Sequence, residues 1–439
     1  KAIADKLQAT LSPNEKAAIE KPPTTDLAAF DLYSRAKTLL LSLGFTSTDE
    51  KTLQQAVDLL NQAVARDPQF FEAYCQLVIT HGRFYALNVD HSPARLALAE
   101  GALEAATRLR PDAAETHLAH AQYLYYGLRD YARALAELEK ARRGLPNDPR
   151  LFELTGYILR RRGQGEEGAH NVEKAVELDP RNYFTMQQLA LSYQFLRRYS
   201  EESVMLDRAL SIIPEDVAVR AQRGLVDFYW KADTRPLHET IDSILRENPN
   251  AISKAADVWF LCALAEHDPA AAKRALAALD KSPSFGEAGV YLKPAFGEGL
   301  LARMMKDETG ARTAFTKARD EQAQIVQAQP NFGPALCVLG LIDAALGNKQ
   351  AASEEGRHAM ELLPPEKDAA TGSVIAQFFA ITAAWTGEKE LALKQLELGL
   401  HAPAASIVVT YGALKSLPFW DPLRGDPRFE KIVNSLAPK

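Results

Sequence analysis

The regular spacing of prolines constrains the fold of this chain more than any other feature of its sequence. Ten prolines recur where apolar segments end. They are Pro68, Pro111, Pro146, Pro180, Pro214, Pro249, Pro283, Pro330, Pro364 and Pro403. The successive intervals are 43, 35, 34, 34, 35, 34, 47, 34 and 39 residues. A unit of about 34 residues therefore repeats along most of the chain, and the three longer intervals should contain insertions.

Each interval has the pattern of two helices, called here helix A and helix B. In residues 331–364 the first half is apolar at helical spacing until Gly347, a residue type that commonly follows the end of a helix. The second half places Ala352 and Ala359 on one face, where small side chains let two helices approach closely. Pro364 ends helix B, because the residue before a proline avoids the helical region.

Helix B of other units repeats small and large residues at the same spacing. Examples are Ala134, Leu138 and Ala141; Leu206 and Ala209; Ala311, Phe315 and Ala318; and Ala392 and Leu396. This pattern resembles the tetratricopeptide repeat over most of residues 26–403. The resemblance implies an all-α fold, a right-handed α-solenoid of about ten helix pairs with a C-terminal capping helix. Unit 250–283 departs from the pattern, since Trp259 stands where a small residue is usual.

Residues 163–168 spell G-x-G-x-x-G, which is also the pattern of a dinucleotide-binding loop. Such a loop follows a strand, whereas the preceding residues, LFELTGYILRRR, have a helical pattern. Gly163 precedes Pro180 by 17 residues, the same separation as between Gly347 and Pro364. We therefore expect Gly163 to lie in the turn between helix A and helix B.

The composition argues against bulk nucleic-acid binding, a disulfide framework and a metal site of paired cysteines. The net charge of −6 and the pI near 5.9 disfavour nucleic-acid binding, which usually needs a basic face. Cys75, Cys262 and Cys337 are far apart in the sequence, so we expect them to be small core residues. His117 and His120 lie three apart on one helix, but no third metal ligand is evident.

Catalytic motifs are also missing from the sequence, and no apolar run approaches the length of a bilayer span. We therefore expect no enzyme activity, cofactor, metal or membrane insertion in this chain. The alternative is an enzyme whose unrecognised site lies in the insertions at 44–52, 88–95 or 284–294.

Outward-facing positions of helix A predict the binding residues. The predicted partner-binding residues are Tyr123, Tyr126, Tyr157, Arg160, Arg161, Phe184, Gln194 and Phe195. Aromatic residues and arginine are enriched at binding hot spots, and arginine suits carboxylates, so we expect a groove for a protein or peptide segment of acidic character. The alternative is that the tyrosines pack between neighbouring helices and the arginines are solvated or pair with acids such as Glu153. Glu153, Tyr157 and Gln188 occupy the positions of a two-carboxylate clamp, so we predict no docking of chaperone C-termini.

The two ends of the chain add a broader resemblance. Ser12-Pro13 predicts a helix start within residues 1–25, and Asp426-Pro427 predicts one within a capping segment at 404–439, on either side of an array at 26–403. The opening IADKLQATLSPNEKAAIEKPPTTDLAAFDLYSRAK and the ending FWDPLRGDPRFEKIV resemble the C-terminal region of large bacterial signalling proteins. In these proteins an N-terminal kinase, adenylate cyclase or winged-helix effector and a TolB-like segment precede the array. The resemblance implies a scaffold or sensor region, often across a membrane from the effector; intramolecular packing or self-association is a further alternative.

Overall fold

A computed structural model describes residues 22–42, 50–86, 89–279 and 285–438. The predicted helix start at Ser12-Pro13 lies outside these residues. The chain forms two compact units. The first contains the described residues up to Ile158 together with His170–Gln188, and the second contains Leu159–Ala169 together with the described residues from Leu189 onward.

Ten helix pairs follow one another along the described part of the chain, which confirms the predicted all-α repeat. The first five pairs are α1 (Leu27–Ser42) and α2 (Glu50–Arg66); α3 (Phe71–Ala86) and α4 (Pro93–Leu109); α5 (Ala114–Tyr123) and α6 (Tyr131–Arg142); α7 (Pro149–Arg161) and α8 (Gly165–Leu178); and α9 (Tyr183–Phe195) and α10 (Tyr199–Ile212). The other five pairs are α11 (Val217–Lys231) and α12 (Arg235–Glu247); α13 (Ala256–Ala265) and α14 (Pro269–Ala278); α15 (Pro294–Met304) and α16 (Glu308–Ala328); α17 (Gly333–Leu346) and α18 (Lys349–Leu362); and α19 (Ala369–Thr386) and α20 (Lys389–Leu400).

Helix ends follow the signals in the sequence. α2 ends two residues before Pro68, and α18 ends two residues before Pro364. Gly163 and Gly347 both lie in the turn between helix A and helix B, with left-handed φ angles of 80° and 85°. Glycine adopts this conformation without the steric cost that a Cβ atom adds. The G-x-G-x-x-G sequence is therefore a helix–helix turn, as predicted.

Close approach of the two helices in a pair explains the small residues of the pattern. A Cβ atom on Gly224 of α11 would lie 2.8 Å from the Cα atom of Leu237 on α12. A Cβ atom on Gly299 of α15 would lie 2.5 Å from the ring of Phe315 on α16. The predicted small and large residues of helix B are buried in each case. They are Ala134, Leu138, Ala141, Leu206, Ala209, Ala311, Phe315, Ala318, Ala352, Ala359, Ala392 and Leu396.

Several elements lie outside the regular pairs. They are a π-helical turn (Leu124–Leu128), a 3₁₀ helix (Pro249–Ala255), the antiparallel strands β1 (Phe285–Glu287) and β2 (Val290–Leu292), helix α21 (Tyr411–Ser416), a second 3₁₀ helix (Pro418–Leu423) and helix α22 (Pro427–Ser435). The long interval between Pro283 and Pro330 is thus filled by the hairpin and by α16, which has 21 residues. The sequence predicted an insertion in this interval but not the hairpin or the length of α16.

The C-terminal helix begins as predicted. Asp426 accepts a hydrogen bond from the backbone of Arg428, and Pro427 occupies the first helical turn. Phe429, Ile432 and Val433 of α22 are buried. These side chains form the apolar face that the sequence predicted for a capping helix.

Helix α19 contradicts the expectation that no apolar run in this chain approaches the length of a bilayer span. Among the described residues, it is long and apolar enough to cross a bilayer by length and composition. Its apolar window is 89% buried within the protein, as the core helix of a folded repeat would be. The sequence was expected to contain no such run.

Candidate functional site

In the first unit, three of the predicted binding residues gather around an arginine that the sequence did not single out. The guanidinium carbon of Arg83, on α3, lies 5.4 Å from the centre of the Phe184 ring. Burial lowers the pKa of Arg83, and the nearby phenols of Tyr126 and Tyr157 partly reverse this effect. Tyr157 is buried, whereas Tyr126 and Phe184 are partly exposed. A cation over aromatic faces is an attractive arrangement, and the attraction grows when water is removed.

No described residue accepts a hydrogen bond from the Arg83 side chain or forms an ion pair with it. The side chain is nevertheless only partly exposed, so its charge is incompletely hydrated. A partly desolvated guanidinium gains most from a carboxylate, because two parallel hydrogen bonds replace the lost water. Arg83 is therefore a candidate group for binding an anion on this surface.

Tyr123 has a different position from the one predicted. It is buried in the hydrophobic core of the first unit, in one cluster with Ala99 and Leu103. Its ring also lies close to Gly127, where an added Cβ atom would be 3.6 Å away. The placement of Tyr123 at the groove surface is thus corrected: it packs inside the repeat, because the π-helical turn that follows changes the helical phase.

Glu153, the acid proposed as an alternative partner for the arginines, bonds to two neutral groups. Its carboxylate accepts hydrogen bonds from the Thr185 hydroxyl, at 2.5 Å, and from the Asn182 amide, at 3.4 Å. Burial raises the pKa of Glu153 to about 7, and the bond from Thr185 partly opposes this rise. The carboxyl group therefore titrates close to neutral pH.

In the second unit, two predicted arginines are engaged by other parts of the same unit. Arg160 is buried, donates to the Ser192 hydroxyl at 3.0 Å and lies 5.6 Å from the centre of the Phe195 ring. Arg161 pairs with Asp368 at 2.8 Å. Asp368 is buried and also caps the N-terminus of α19. These contacts agree with the alternative in which the arginines form internal pairs.

Phe195 and Gln194 complete the predicted set. Both are buried. The carbonyl oxygen of Phe195 accepts a hydrogen bond of 3.0 Å from the backbone N–H of Ala405, and its ring packs in one cluster with Ala370 and Ala404. The end of α9 is therefore covered by residues from the C-terminal part of the chain.

Residues 399–408, called here the C-terminal segment, are held largely through their backbone. The amide of Gln377 donates to the carbonyl of Ala404 and accepts from the N–H of Ser406, both at 3.0 Å. The carboxylate of Glu287 accepts from the N–H of Ile407 at 2.7 Å and from the hydroxyl of Ser406. Bonds of this kind depend on the backbone of the segment and little on its side chains.

Two further groups hold the ends of the C-terminal segment. Arg197 donates to the carbonyl of Leu400 at 3.2 Å, and the indole of Trp420 donates to the carbonyl of Val408 at 2.9 Å. Arg197 lies in the turn after α9 and has a left-handed φ of 55°. The segment is thus anchored at both ends as well as in its middle.

Histidines 117 and 120 share one carboxylate. His117 lies 2.7 Å and His120 3.8 Å from Glu137. Lys140 donates to the same carboxylate at 2.8 Å. The two histidines and Lys140 therefore cluster around the carboxylate of Glu137 in the first unit.

Solved structures resemble this chain at low sequence identity. No protein-family model matches the sequence, and no curated protein matches it. A human IFIT1 dimer with PPP-AAAA is 16% identical, covers 82% of this chain and 76% of its own, and has a TM-score of 0.44. A tetratricopeptide repeat protein from Parabacteroides merdae ATCC 43184 is 13% identical, covers 63% of this chain and 99% of its own, and has a TM-score of 0.37.

A thermophilic tetratricopeptide repeat protein from Thermus thermophilus is 17% identical and has a TM-score of 0.37. The match covers 45% of this chain and 98% of that one. At such identities and TM-scores, the similarities carry no argument about function.

Proposed function

We propose that this chain is a non-enzymatic binding module that holds an acidic segment of a partner protein on helix A surfaces of its first unit. One observation carries the proposal. The guanidinium carbon of Arg83 lies 5.4 Å from the centre of the Phe184 ring, the phenols of Tyr126 and Tyr157 are near enough to affect its pKa, and no described residue bonds to it. A carboxylate of the partner would supply the missing acceptor.

The chemistry of the surrounding residues supports an acidic peptide over a small anion. Aromatic rings offer large contact areas at a low cost in conformational entropy, and they exclude water around a central charge. A peptide fills such a surface with its side chains and places one carboxylate on the arginine. The role as scaffold or sensor region of a larger bacterial signalling protein stays a prediction that rests on the resemblance of the chain ends.

Selection from a displayed library of short random peptides tests this function. The library has one fixed central residue, which is Glu in one pool and Gln in the other. We expect the wild-type chain to enrich peptides from the Glu pool, and Arg83→Gln to remove the preference for Glu. Arg143→Gln is the matched control, because Arg143 is exposed and no described residue pairs with it.

The outcomes separate the alternatives clearly. Enrichment of the Glu pool that persists in Arg83→Gln contradicts the assignment of the site. Failure of both pools to bind contradicts peptide binding itself. Enrichment of both pools alike, with loss of binding in Phe184→Ala, leaves a peptide site but removes the acidic preference.

A second candidate function is intramolecular, and the C-terminal segment favours it. In the second unit the predicted residues Arg160, Gln194 and Phe195 are buried, and the end of α9 contacts this segment. The segment therefore covers the end of α9 at Phe195, as a partner peptide would. Hydrogen exchange tests this: Gln377→Ala should increase exchange in residues 399–408, while exchange in α17 should not change. Unchanged exchange in the segment would count against this candidate.

A further inference from the structure

We infer that His238, Cys262 and Glu266 form a binding site for one zinc ion. The inference is independent of the proposed peptide binding, because these residues lie in the second unit and outside the predicted set. No sequence motif indicates the site, since 24 residues separate the histidine from the cysteine. The fold brings them together by packing α12 beside α13.

The geometry of the three side chains is that of a ligand set. One ligand atom from each residue, a ring nitrogen, the thiol sulfur and a carboxylate oxygen, lies within 4.8 Å of the others. Nδ1 of His238 is 3.2 Å from Oε2 of Glu266. Cys262 and Glu266 are four residues apart, so their side chains project from the same face of the helical turn.

The donor types match zinc among the common metals. Zinc binds histidine nitrogen, cysteine thiolate and carboxylate oxygen, and it accepts mixtures of these ligands. A calcium or magnesium site would use oxygen ligands only. Cys262 is 2% exposed, whereas the His238 side chain is 51% exposed. The site is therefore anchored from the core and open to water on one side, as in three-ligand zinc sites that keep a fourth position for water.

A neighbouring carboxylate supports the histidine as a ligand. Oδ2 of Asp242 lies 3.6 Å from Nε2 of His238, on the ring edge opposite the nitrogen that faces Glu266. Histidines that bind metals commonly direct their second ring nitrogen to a carboxylate, which fixes the orientation of the ring and makes the ligand nitrogen more basic. Asp242 is thus a positioning residue for His238.

Binding must release a proton. An ordinary cysteine thiol has a pKa of about 8.5 and is mostly protonated at neutral pH, whereas zinc binds the thiolate. When zinc binds, the S–H bond breaks, a Zn–S bond forms and the proton passes to the solvent. The net change is one zinc ion bound and one proton released for the thiol.

Cys337 and His117 lie in surroundings that differ from those of the proposed ligands. The thiol of Cys337 lies 3.9 Å from the carbonyl oxygen of Ile375 and is fully enclosed in the core. His117 contacts Glu137 but has no thiol beside it. Among the described residues no other group of three histidine, cysteine or acidic side chains meets the same distance criterion.

Titration of the full chain with zinc alone tests the site. The protein is stripped with a chelator and titrated by calorimetry in two buffers of different ionisation enthalpy, which reports the released proton. Cobalt is added in a parallel experiment, because thiolate–cobalt bonds give a charge-transfer absorption band. We expect one equivalent of zinc, the cobalt band, and a loss of affinity of about 100-fold in Cys262→Ser and His238→Gln.

Three variants serve as controls and refinements. Cys337→Ser and His117→Gln should bind zinc like the wild type, since they change the same residue types elsewhere. Asp242→Asn should weaken binding by about 10-fold, because it changes only the positioning carboxylate. His238 is exposed, so His238→Gln keeps the test valid if Cys262→Ser does not fold. Absence of stoichiometric binding overturns the inference, and so does binding that persists unchanged in either ligand variant.

Discussion

Replacement of Glu287 by Gln should change the pH dependence of stability in a way that can be worked out from the structure. Glu287 ends strand β1, and one oxygen of its carboxylate accepts hydrogen bonds from Ser406 and from the N–H of Ile407. The other oxygen is buried, and no described residue bonds to it. Burial raises the pKa of Glu287 from 4.5 to about 7, although the two hydrogen bonds act in the opposite direction.

The sign of the effect follows from proton linkage. The folded state holds the proton of Glu287 more tightly than the unfolded state, in which the pKa is near the ordinary value. The contribution of Glu287 to the free energy of unfolding is therefore most favourable below its pKa in the unfolded state. It is lost as the pH rises through its pKa in the folded state. A shift of this size corresponds to about 3 kcal/mol, at about 1.4 kcal/mol per pKa unit.

Glutamine stays neutral at all these pH values, and its amide oxygen can still accept hydrogen bonds from the C-terminal segment. We therefore expect Glu287→Gln to increase the free energy of unfolding relative to wild type by up to about 3 kcal/mol above pH 7. The difference should shrink progressively towards about pH 4.5, where both proteins are neutral at this position. Denaturant unfolding of both proteins across this pH range measures it.

Comparison of the two proteins removes the contributions of other buried glutamates such as Glu153, since these are the same in both. Glu366→Gln is the control, because Glu366 is exposed and has no described partner. A difference between wild type and Glu287→Gln that stays constant across the pH range would refute the reasoning. It would mean that the carboxylate is hydrated in solution.

Four other changes should have distinct effects on the unfolding free energy. Gly299→Ala places a Cβ atom 2.5 Å from the Phe315 ring and should lower the stability by about 1–3 kcal/mol in thermal unfolding. A Cβ atom at Gly101 meets no atom within 4 Å, so Gly101→Ala should raise the stability by about 0.5–1 kcal/mol. Asp368→Ala removes the ion pair with Arg161 and a helix cap, so denaturant unfolding should show a loss of about 3 kcal/mol. Arg83→Gln removes a partly buried charge that no described residue pairs, so its unfolding midpoint should be equal to or above that of wild type; a clear decrease would reveal an internal partner.

The repeat architecture could be predicted because its signals are local. The prolines, the turn glycines and the small residues of helix B each act within one helix pair, over a few helical turns. Gly163 illustrates this: its offset from Pro180 was enough to identify a turn, and its φ of 80° agrees. The π-helical turn after α5 escaped prediction, because nothing in its five residues marks a change in the number of residues per turn. Tyr123, just before it, was consequently placed on the wrong face.

The candidate sites depend on contacts between residues that the spacing of the repeats does not predict. The aromatic residues near Arg83 were predicted from helix A positions, but Arg83 itself was not, because its importance comes from what surrounds it and not from its place in the unit. The C-terminal segment reaches the end of α9 from about 200 residues away in the sequence, through bonds such as that between Ala405 and Phe195. A backbone hydrogen bond does not require a particular side chain, so the sequence does not reveal it.

The sequence by itself determined that the chain folds as successive helix pairs, since a periodic pattern of apolar residues, stops and turns specifies each pair locally. Only the tertiary structure decided which residues meet: Arg83 with its aromatic neighbours, Gln377 with the C-terminal segment, and His238 with Cys262. The physical reason is that burial and charge pairing depend on three-dimensional neighbours. Those neighbours come from different helices and loops, whose relative placement is set by packing.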